Sequence, residues 1–68
     1  MSEKVANNVR ELRKQADLTQ EELARALDVS RQTIISIERG RYIPSLPLAL
    51  RIARFFKSST DEMFSLEE

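Results

Sequence analysis

The sequence lacks cysteine, histidine and tryptophan, and these absences exclude several common kinds of site. Without cysteine there is no disulfide, and without cysteine and histidine the usual zinc sites have no ligands. No apolar run approaches the roughly 20 residues of a membrane-spanning helix, and nothing resembles a signal peptide. At 68 residues there is room for one small domain. We therefore expect one soluble domain in the reducing cytoplasm, with no membrane contact, cofactor or metal.

Glycine is almost as scarce, since the chain holds only one, and this bears on catalysis. There is no glycine-rich loop that could cradle a phosphate, no histidine or cysteine to act as base or nucleophile, and no carboxylate pair in an obvious cleft. The sequence therefore predicts a binding protein, not an enzyme, and offers no catalytic residue.

The formal net charge is zero, but the charges are unevenly placed. Residues 30–57 hold six basic side chains and one acidic one, whereas residues 58–68 hold four acidic side chains and no basic one. Charges act over a screening length of about 8–10 Å, so local potential, not the total, steers a polyanion. The central segment is predicted to attract nucleic acid; the alternative is a chance fluctuation in a short chain.

Apolar spacing predicts five short helices with mostly local contacts. The first helix carries one apolar stripe, formed by Val5, Val9, Leu12 and Ala16. Its start is open, because a cap at Asn7-Asn8 would leave residues 4–6 extended and able to pair as a strand. Thr19 with Glu22, and Ser59 with Glu62, have the spacing of capping boxes that begin helices. The fourth helix is expected to begin at residue 45 or 46.

The stretch from Ser30 to Gly40 has the strongest functional pattern. Ser30 is a favoured helix cap and Gly40, the only glycine, is a favoured stop. Ile34 and Ile37 lie three apart and point to the core. The opposite face shows an amide, a hydroxyl, a guanidinium and one exposed isoleucine, contributed by Gln32, Ser36, Arg39 and Ile35. Such a face favours a helix that reads DNA bases.

These residues also carry a family resemblance. The runs Thr19–Ala24, Val29–Ile34 and Ile37–Gly40 resemble the lambda-repressor-like (Cro, xenobiotic-response-element) helix-turn-helix family, with the motif over about residues 19–39. Asp28 stands where the family most often has a left-handed glycine, a conformation that Asp tolerates well. The likeness is greatest to short stand-alone dimeric regulators of the cytolysin-repressor type. It implies an all-α, compact five-helix domain, with possible short β-strands at a dimer interface.

The resemblance implies that helix 31–39 enters the major groove of double-stranded DNA. The implied base contacts are Arg31, Gln32, Thr33, Ile35 and Ser36, and the implied phosphate contacts are Gln20, Ser30, Arg39, Arg41 and Tyr42. Four assignments stay open: Arg31 could hold a phosphate instead of a base, Ile35 could be an ordinary exposed apolar residue, Ser36 could lie on this face without contacting a base, and Gln20 could only support its cap. Arg51, Arg54 and Lys57 are expected to form a solvated helix face.

Two structural roles complete the expectation. Glu38 falls on the buried side of its helix, and the family pairs this glutamate with an arginine of the first helix, here Arg10. A homodimer is expected through residues 4–7 and 59–67, with interface residues Val5, Phe55, Met63, Phe64 and Leu66. Together these features predict a sequence-specific transcriptional regulator that binds a palindromic operator as a homodimer. Repression is the predicted effect, with activation left open. The alternative is an antitoxin-like or adaptor module whose main partner is another protein, still unknown.

Overall fold

The computed structural model describes residues 4–67. In chain order the elements are β1 (Lys4–Asn7), α1 (Val9–Gln15), α2 (Gln20–Leu27), α3 (Arg31–Glu38), α4 (Leu46–Phe55), α5 (Thr60–Met63) and β2 (Phe64–Glu67). The prediction of a five-helix domain with short strands near the chain ends is confirmed. Over these residues no helix combines the length and the apolar character needed to span a bilayer.

The two strands pair with each other inside one chain, in an antiparallel register that sets Val5 opposite Leu66 and Asn7 opposite Phe64. The first helix therefore begins after Asn7-Asn8, and the residues before it are extended, which is one of the two alternatives that the sequence left open. Asn7 fixes the change from strand to helix, since its Oδ1 accepts a hydrogen bond from the Val9 N–H at 3.1 Å. Its Nδ2 donates to the Ile37 carbonyl at 3.0 Å, so β1 is also tied to the end of α3.

One apolar core fills the space between the helices. Its buried members are Val9, Leu23, Ala24, Leu27, Ile34, Ile37, Leu48, Ile52, Ala53 and Met63. Ile34 and Ile37 are fully buried, as their spacing predicted. Met63 is only 1% exposed, so its assignment to a dimer interface is wrong. The short helix α5 turns this side chain into the core of its own chain, where a second protomer cannot reach it.

The helix ends follow the local signals in the sequence. Both capping boxes form; in the first, the Thr19 N–H donates to Glu22 Oε1 at 2.8 Å and the Glu22 N–H donates to Thr19 Oγ1 at 3.0 Å. Ser45 caps α4 by accepting from the backbone N–H of residue 48. Asp28 ends α2 in the left-handed region, with φ 58° and ψ 46°. The turn into α3 is therefore tight, as a short helix-turn-helix connection requires.

The first capping box makes a pH-dependent contribution to stability. Hydrogen bonds from the backbone and then the side chain of Thr19 lower the pKa of Glu22 below its ordinary value of 4.5. A lowered folded-state pKa stabilises the fold above the unfolded-state pKa, and this contribution is lost as the pH falls through the folded-state pKa. At neutral pH the wild-type protein should therefore have a higher melting temperature than Glu22→Gln. This difference in melting temperature should disappear on acidification.

Thermal unfolding of both proteins, from neutral pH to below the ordinary glutamate pKa of 4.5, measures the difference in melting temperature. Glu21→Gln is the matched control, since Glu21 forms an exposed ion pair with Arg25 at 3.3 Å and exposed pairs contribute little. A difference that is independent of pH would contradict the role given to the Glu22 carboxylate.

Candidate nucleic-acid interface

The outer face of α3 keeps most of the polar side chains that the sequence placed there. Arg31, Gln32 and Arg39 are exposed, whereas Thr33, Ile35 and Ser36 are half-buried. The expectation of an exposed Ile35 is therefore wrong. On a helix it lies only about 100° from the fully buried residue 34, at the border of the core-facing side.

Glu38, at the inner end of α3, is held by an arginine of the first helix. Arg13 Nε donates to Glu38 Oε2 at 2.7 Å and Arg13 Nη2 donates to Oε1 at 3.1 Å, so the pair is bidentate. The two side chains are only 10% and 4% exposed. Gln20 Nε2 donates to the same Oε1 at 3.2 Å. One buried carboxylate thus joins α1, α2 and α3.

The predicted partner Arg10 is the wrong arginine. Because α1 begins at Val9, the residue four positions later points to the same side as this fully buried valine, and that residue is Arg13. Arg10 is the immediate neighbour of Val9 and is exposed. Both arginines flank the apolar stripe in the sequence; the spacing of four from a core residue is the signal that separates them.

The network also favours the charged form of Arg13. Its hydrogen bond with Glu38 raises the pKa of Arg13, with a further contribution from the Glu38 charge. Arg13 Nη1 also donates to the carbonyl of Leu18 at 2.8 Å, so the same guanidinium holds the connection between α1 and α2. The start of α2, where helix N–H groups face outward, is thereby locked against the end of α3.

The structure brings Gln20 and Arg31 together, although they are eleven positions apart in the sequence. Both line one depression of about 430 Å³ at the starts of α2 and α3, with Arg13, Thr19 and Glu21. A second depression, of about 350 Å³, places Arg10 and Arg39 beside Gln20. Four arginine side chains thus lie around the first turn of α2, and one of them, Arg13, is paired with Glu38. Among residues 4–67, no group of acidic side chains is arranged to hold a metal ion.

After α3 the chain reverses, so that Tyr42 lies against the outer face of this helix. Gly40 takes a φ of 72°, a left-handed value that favours glycine, and the Arg41 N–H donates to the Ser36 carbonyl at 2.9 Å. This turn sets Tyr42 beside Gln32, Thr33 and Ser36, and the four line a cleft of about 220 Å³. Four residues from two of the predicted contact groups therefore share one surface.

The predicted dimer residues do not form one surface. Val5 and Phe64 line an apolar groove of about 250 Å³ whose other walls are Ile43, Pro44, Leu46, Ala49 and Thr60. Leu66, paired with Val5 across the sheet, is 63% exposed. Phe55 lies elsewhere, in a depression lined also by Arg51 and Arg54. Sequence reading missed Leu46 and Leu50, which are four positions apart on α4 and both more than half exposed.

We expect the removal of one partner of the buried ion pair to destabilise the fold. In Glu38→Ala the Arg13 guanidinium would remain buried without its partner, at a cost of roughly 3 kcal/mol in the free energy of unfolding. Urea unfolding of the DNA-free protein measures this loss. Arg10→Ala is the matched control and should unfold within about 0.5 kcal/mol of wild type, as surface substitutions do. Equal losses in the two variants would contradict the assignment of Arg13.

Comparison with known proteins agrees with this geometry. A family model described as helix-turn-helix matches residues 9–63. An uncharacterized HTH-type transcriptional regulator of Methanocaldococcus jannaschii is 50% identical over 62 residues, which cover 91% of this chain and 94% of that protein. The cryptic phage CTXphi transcriptional repressor RstR of Vibrio cholerae is 32% identical over 63 residues, 93% of this chain but 57% of RstR.

Solved structures show the same fold. The crystal structure of the transcriptional regulator VanUg superposes with a TM-score of 0.76, covering 98% of this chain and 89% of that one. The two sequences are only 20% identical, so this likeness concerns the arrangement of helices.

Proposed function

Because the chain belongs to the helix-turn-helix family of DNA-binding transcriptional regulators, we propose that it is a repressor that binds a palindromic operator as a homodimer. In this proposal α3 lies in the major groove and α2 crosses the phosphate backbone. The observation that carries it is the Arg13–Glu38–Gln20 network, which holds α3 with its polar face outward beside a cluster of basic side chains. Similarity to RstR, itself named a repressor, supports repression.

The proposed base contacts come from α3. The Gln32 amide presents a donor and an acceptor that match adenine N7 and N6, a pairing with roughly 1–3 kcal/mol of discrimination. Arg31 matches guanine O6 and N7 and is exposed at the helix start. The remaining side chains within reach are Thr33, Ile35 and Ser36. Since Ile35 is half-buried, it offers only part of its side chain to a thymine methyl.

The proposed phosphate contacts surround this face. The Gln20 side-chain N–H donates to Glu38, and this bond holds the start of α2 in place. The remaining polar atoms of Gln20 and the first-turn N–H groups of α2 are then positioned to bind a phosphate. Arg39 and Arg41, beyond the end of α3, and Tyr42 complete the set. The Ser30 hydroxyl is the weakest member, because it already accepts from the Thr33 N–H and bonds the Thr33 hydroxyl.

Selection of bound duplexes from a random DNA pool tests the proposal, followed by affinity measurement over a range of salt concentrations. We expect a palindrome with half-sites about 34–36 Å apart and a steep fall in affinity with salt. Gln32→Ala should weaken binding about tenfold or more and relax the preference at one position. Arg39→Ala should weaken all sequences alike and reduce the salt slope by about one.

Lys14→Ala, at an exposed position of α1, is the control for simple loss of positive charge. The proposal fails if no sequence is enriched, or if binding ignores both the salt concentration and the Gln32 substitution.

The proposed dimer surface is an apolar patch beside the sheet, here called the strand-side patch. It consists of the groove residues Val5, Ile43, Leu46 and Phe64, to which we add Leu66, paired with Val5 across the sheet, and Leu50, one turn after Leu46 on α4. Large apolar side chains gathered on one side of so small a domain mark an interaction surface. A second copy of the chain fits it, because two-fold symmetry would double the number of base pairs read. A typical interface removes about 800 Å² from each partner.

Sedimentation of the wild-type protein and of single variants tests this surface. Leu50→Glu or Leu66→Glu, which puts a charge into the patch, should convert the dimer to monomer and weaken operator binding. Phe55→Glu is the matched control, since Phe55 is 40% exposed outside the patch, and this variant should remain dimeric. A wild-type monomer at about 50 µM, within the range of marginal interfaces, would contradict the dimer.

A protein-interaction module is the second candidate, and one feature favours it. Phe55 lies with Arg51 and Arg54 in a depression of about 340 Å³, and Arg51 Nη1 is fixed there by donating to the Leu27 carbonyl at 3.1 Å. A held guanidinium beside an exposed ring suits a protein partner. If this were the main function, Gln32→Ala and Arg31→Ala would bind that partner normally, and no palindrome would be selected.

A further inference from the structure

The cleft between Tyr42 and α3 has a composition that suits one kind of base pair. It combines an amide, two hydroxyl-bearing side chains and an aromatic ring in about 220 Å³. We propose that this cleft reads a single A·T pair, with Gln32 on adenine and the Tyr42 ring against the thymine 5-methyl group. The proposal rests on the major-groove binding proposed above. It makes Tyr42 a specificity-determining residue and Ser36 a positioning residue.

The amide of Gln32 is oriented before DNA is bound. Gln32 Nε2 donates one hydrogen to Ser36 Oγ at 3.4 Å, across one turn of α3. The amide then offers one hydrogen and the Oε1 acceptor in a single plane. Adenine presents one acceptor and one donor on its major-groove edge, whereas guanine presents two acceptors. The held amide therefore matches adenine and not guanine.

Thr33 and Tyr42 give the cleft apolar surface beside the Gln32 amide. The Thr33 hydroxyl is engaged with Ser30 Oγ at 2.8 Å at the cap of α3, and Thr33 also carries a methyl group. Tyr42 is 43% exposed and lines the same cleft with an aromatic side chain. In the major groove thymine differs from cytosine by its 5-methyl group and by an acceptor in place of a donor. An apolar wall beside an adenine-reading amide fits thymine.

The position of Tyr42 is built into the backbone. The Arg41 N–H is bonded to the Ser36 carbonyl, and Gly40 makes the reversal that allows this bond. Tyr42 is therefore held one residue beyond a bond to the same Ser36 that orients Gln32. A phosphate contact by its hydroxyl is compatible with this, because the ring face and the hydroxyl are separate parts of the side chain.

Single-atom changes in the DNA test the proposal. In the duplex selected by the wild-type protein, each thymine is replaced in turn by deoxyuridine, which removes only the 5-methyl group. We expect one thymine per half-site at which wild-type affinity falls about fourfold, the effect of one buried methyl group. Tyr42→Ala should bind the thymine and uracil duplexes equally at that position, whereas Tyr42→Phe should keep the discrimination.

Two further variants test whether the methyl contact belongs to Tyr42 or to Ile35, and whether Ser36 orients Gln32 or only supports the fold. Ile35→Ala separates the two apolar side chains of this face: at the thymine where Tyr42→Ala loses discrimination, Ile35→Ala should still bind the thymine duplex more tightly than the uracil duplex, whatever its effect on overall affinity. Ser36→Ala should relax the preference for adenine over guanine at the paired base while the salt dependence stays unchanged. A purely structural role for Ser36 would instead weaken binding to all sequences alike.

The outcomes divide as follows. If the wild-type protein selects no duplex, both the proposed function and this inference fail. If it selects a duplex but no uracil substitution weakens binding, or if Tyr42→Ala still discriminates thymine from uracil, the inference fails while DNA binding stands. Discrimination lost in Ile35→Ala instead of Tyr42→Ala would assign the methyl contact to Ile35 and overturn the role of Tyr42.

Discussion

The carboxylate of Glu38 is the constraint on which the rest of this small domain depends. It is 4% exposed at the end of α3, and a charge withdrawn from water to that degree is tolerated only when it is paired and hydrogen-bonded. Arg13 supplies the charge and two hydrogen bonds, and Gln20 supplies a third. Because the three residues lie on three helices, satisfying one carboxylate fixes how α1, α2 and α3 meet.

The direction in which the polar side chains of α3 point follows from the buried Glu38 ion pair. Ile34, Ile37 and Glu38 face α1 and the core, so the polar residues of α3 are turned outward. Gln20 is drawn to the same carboxylate, which sets the start of α2 beside Arg31 at the start of α3. Replacing a buried ion pair with apolar residues is often neutral for stability. We therefore infer that the pair serves the geometry of the binding surface more than the free energy of unfolding.

Features encoded within one turn of chain could be predicted from the sequence. The box of Thr19 and Glu22 and the cap at Ser30 form as expected, since their partners are three residues away. The left-handed Asp28 followed from the family resemblance, in which a left-handed glycine stands at this position. Contacts between distant segments could not be predicted in the same way. The errors over Arg10 and Met63 arose because periodicity gives a residue's face but not which neighbouring segment covers it.

The surface shows the same limit. The polar residues of α3 were identified from their spacing, but the cleft that adds Tyr42 depends on the path of the chain after Gly40. Phe55 and Leu66 were both predicted to lie in the dimer interface, but Phe55 lies in a depression with Arg51 and Arg54 whereas Leu66 pairs with Val5 across the sheet. Roles in DNA binding stay predictions for all of these residues.

The double variant Arg13→Met/Glu38→Leu tests the central claim most directly, through its affinity for the selected duplex at a temperature where it is as fully folded as wild type. If the network exists to place Gln20, the variant should bind about tenfold more weakly, the equivalent of one lost hydrogen bond. Adding Gln20→Ala should then weaken it no further. Wild-type affinity in the folded double variant would show that the ion pair has no part in DNA binding.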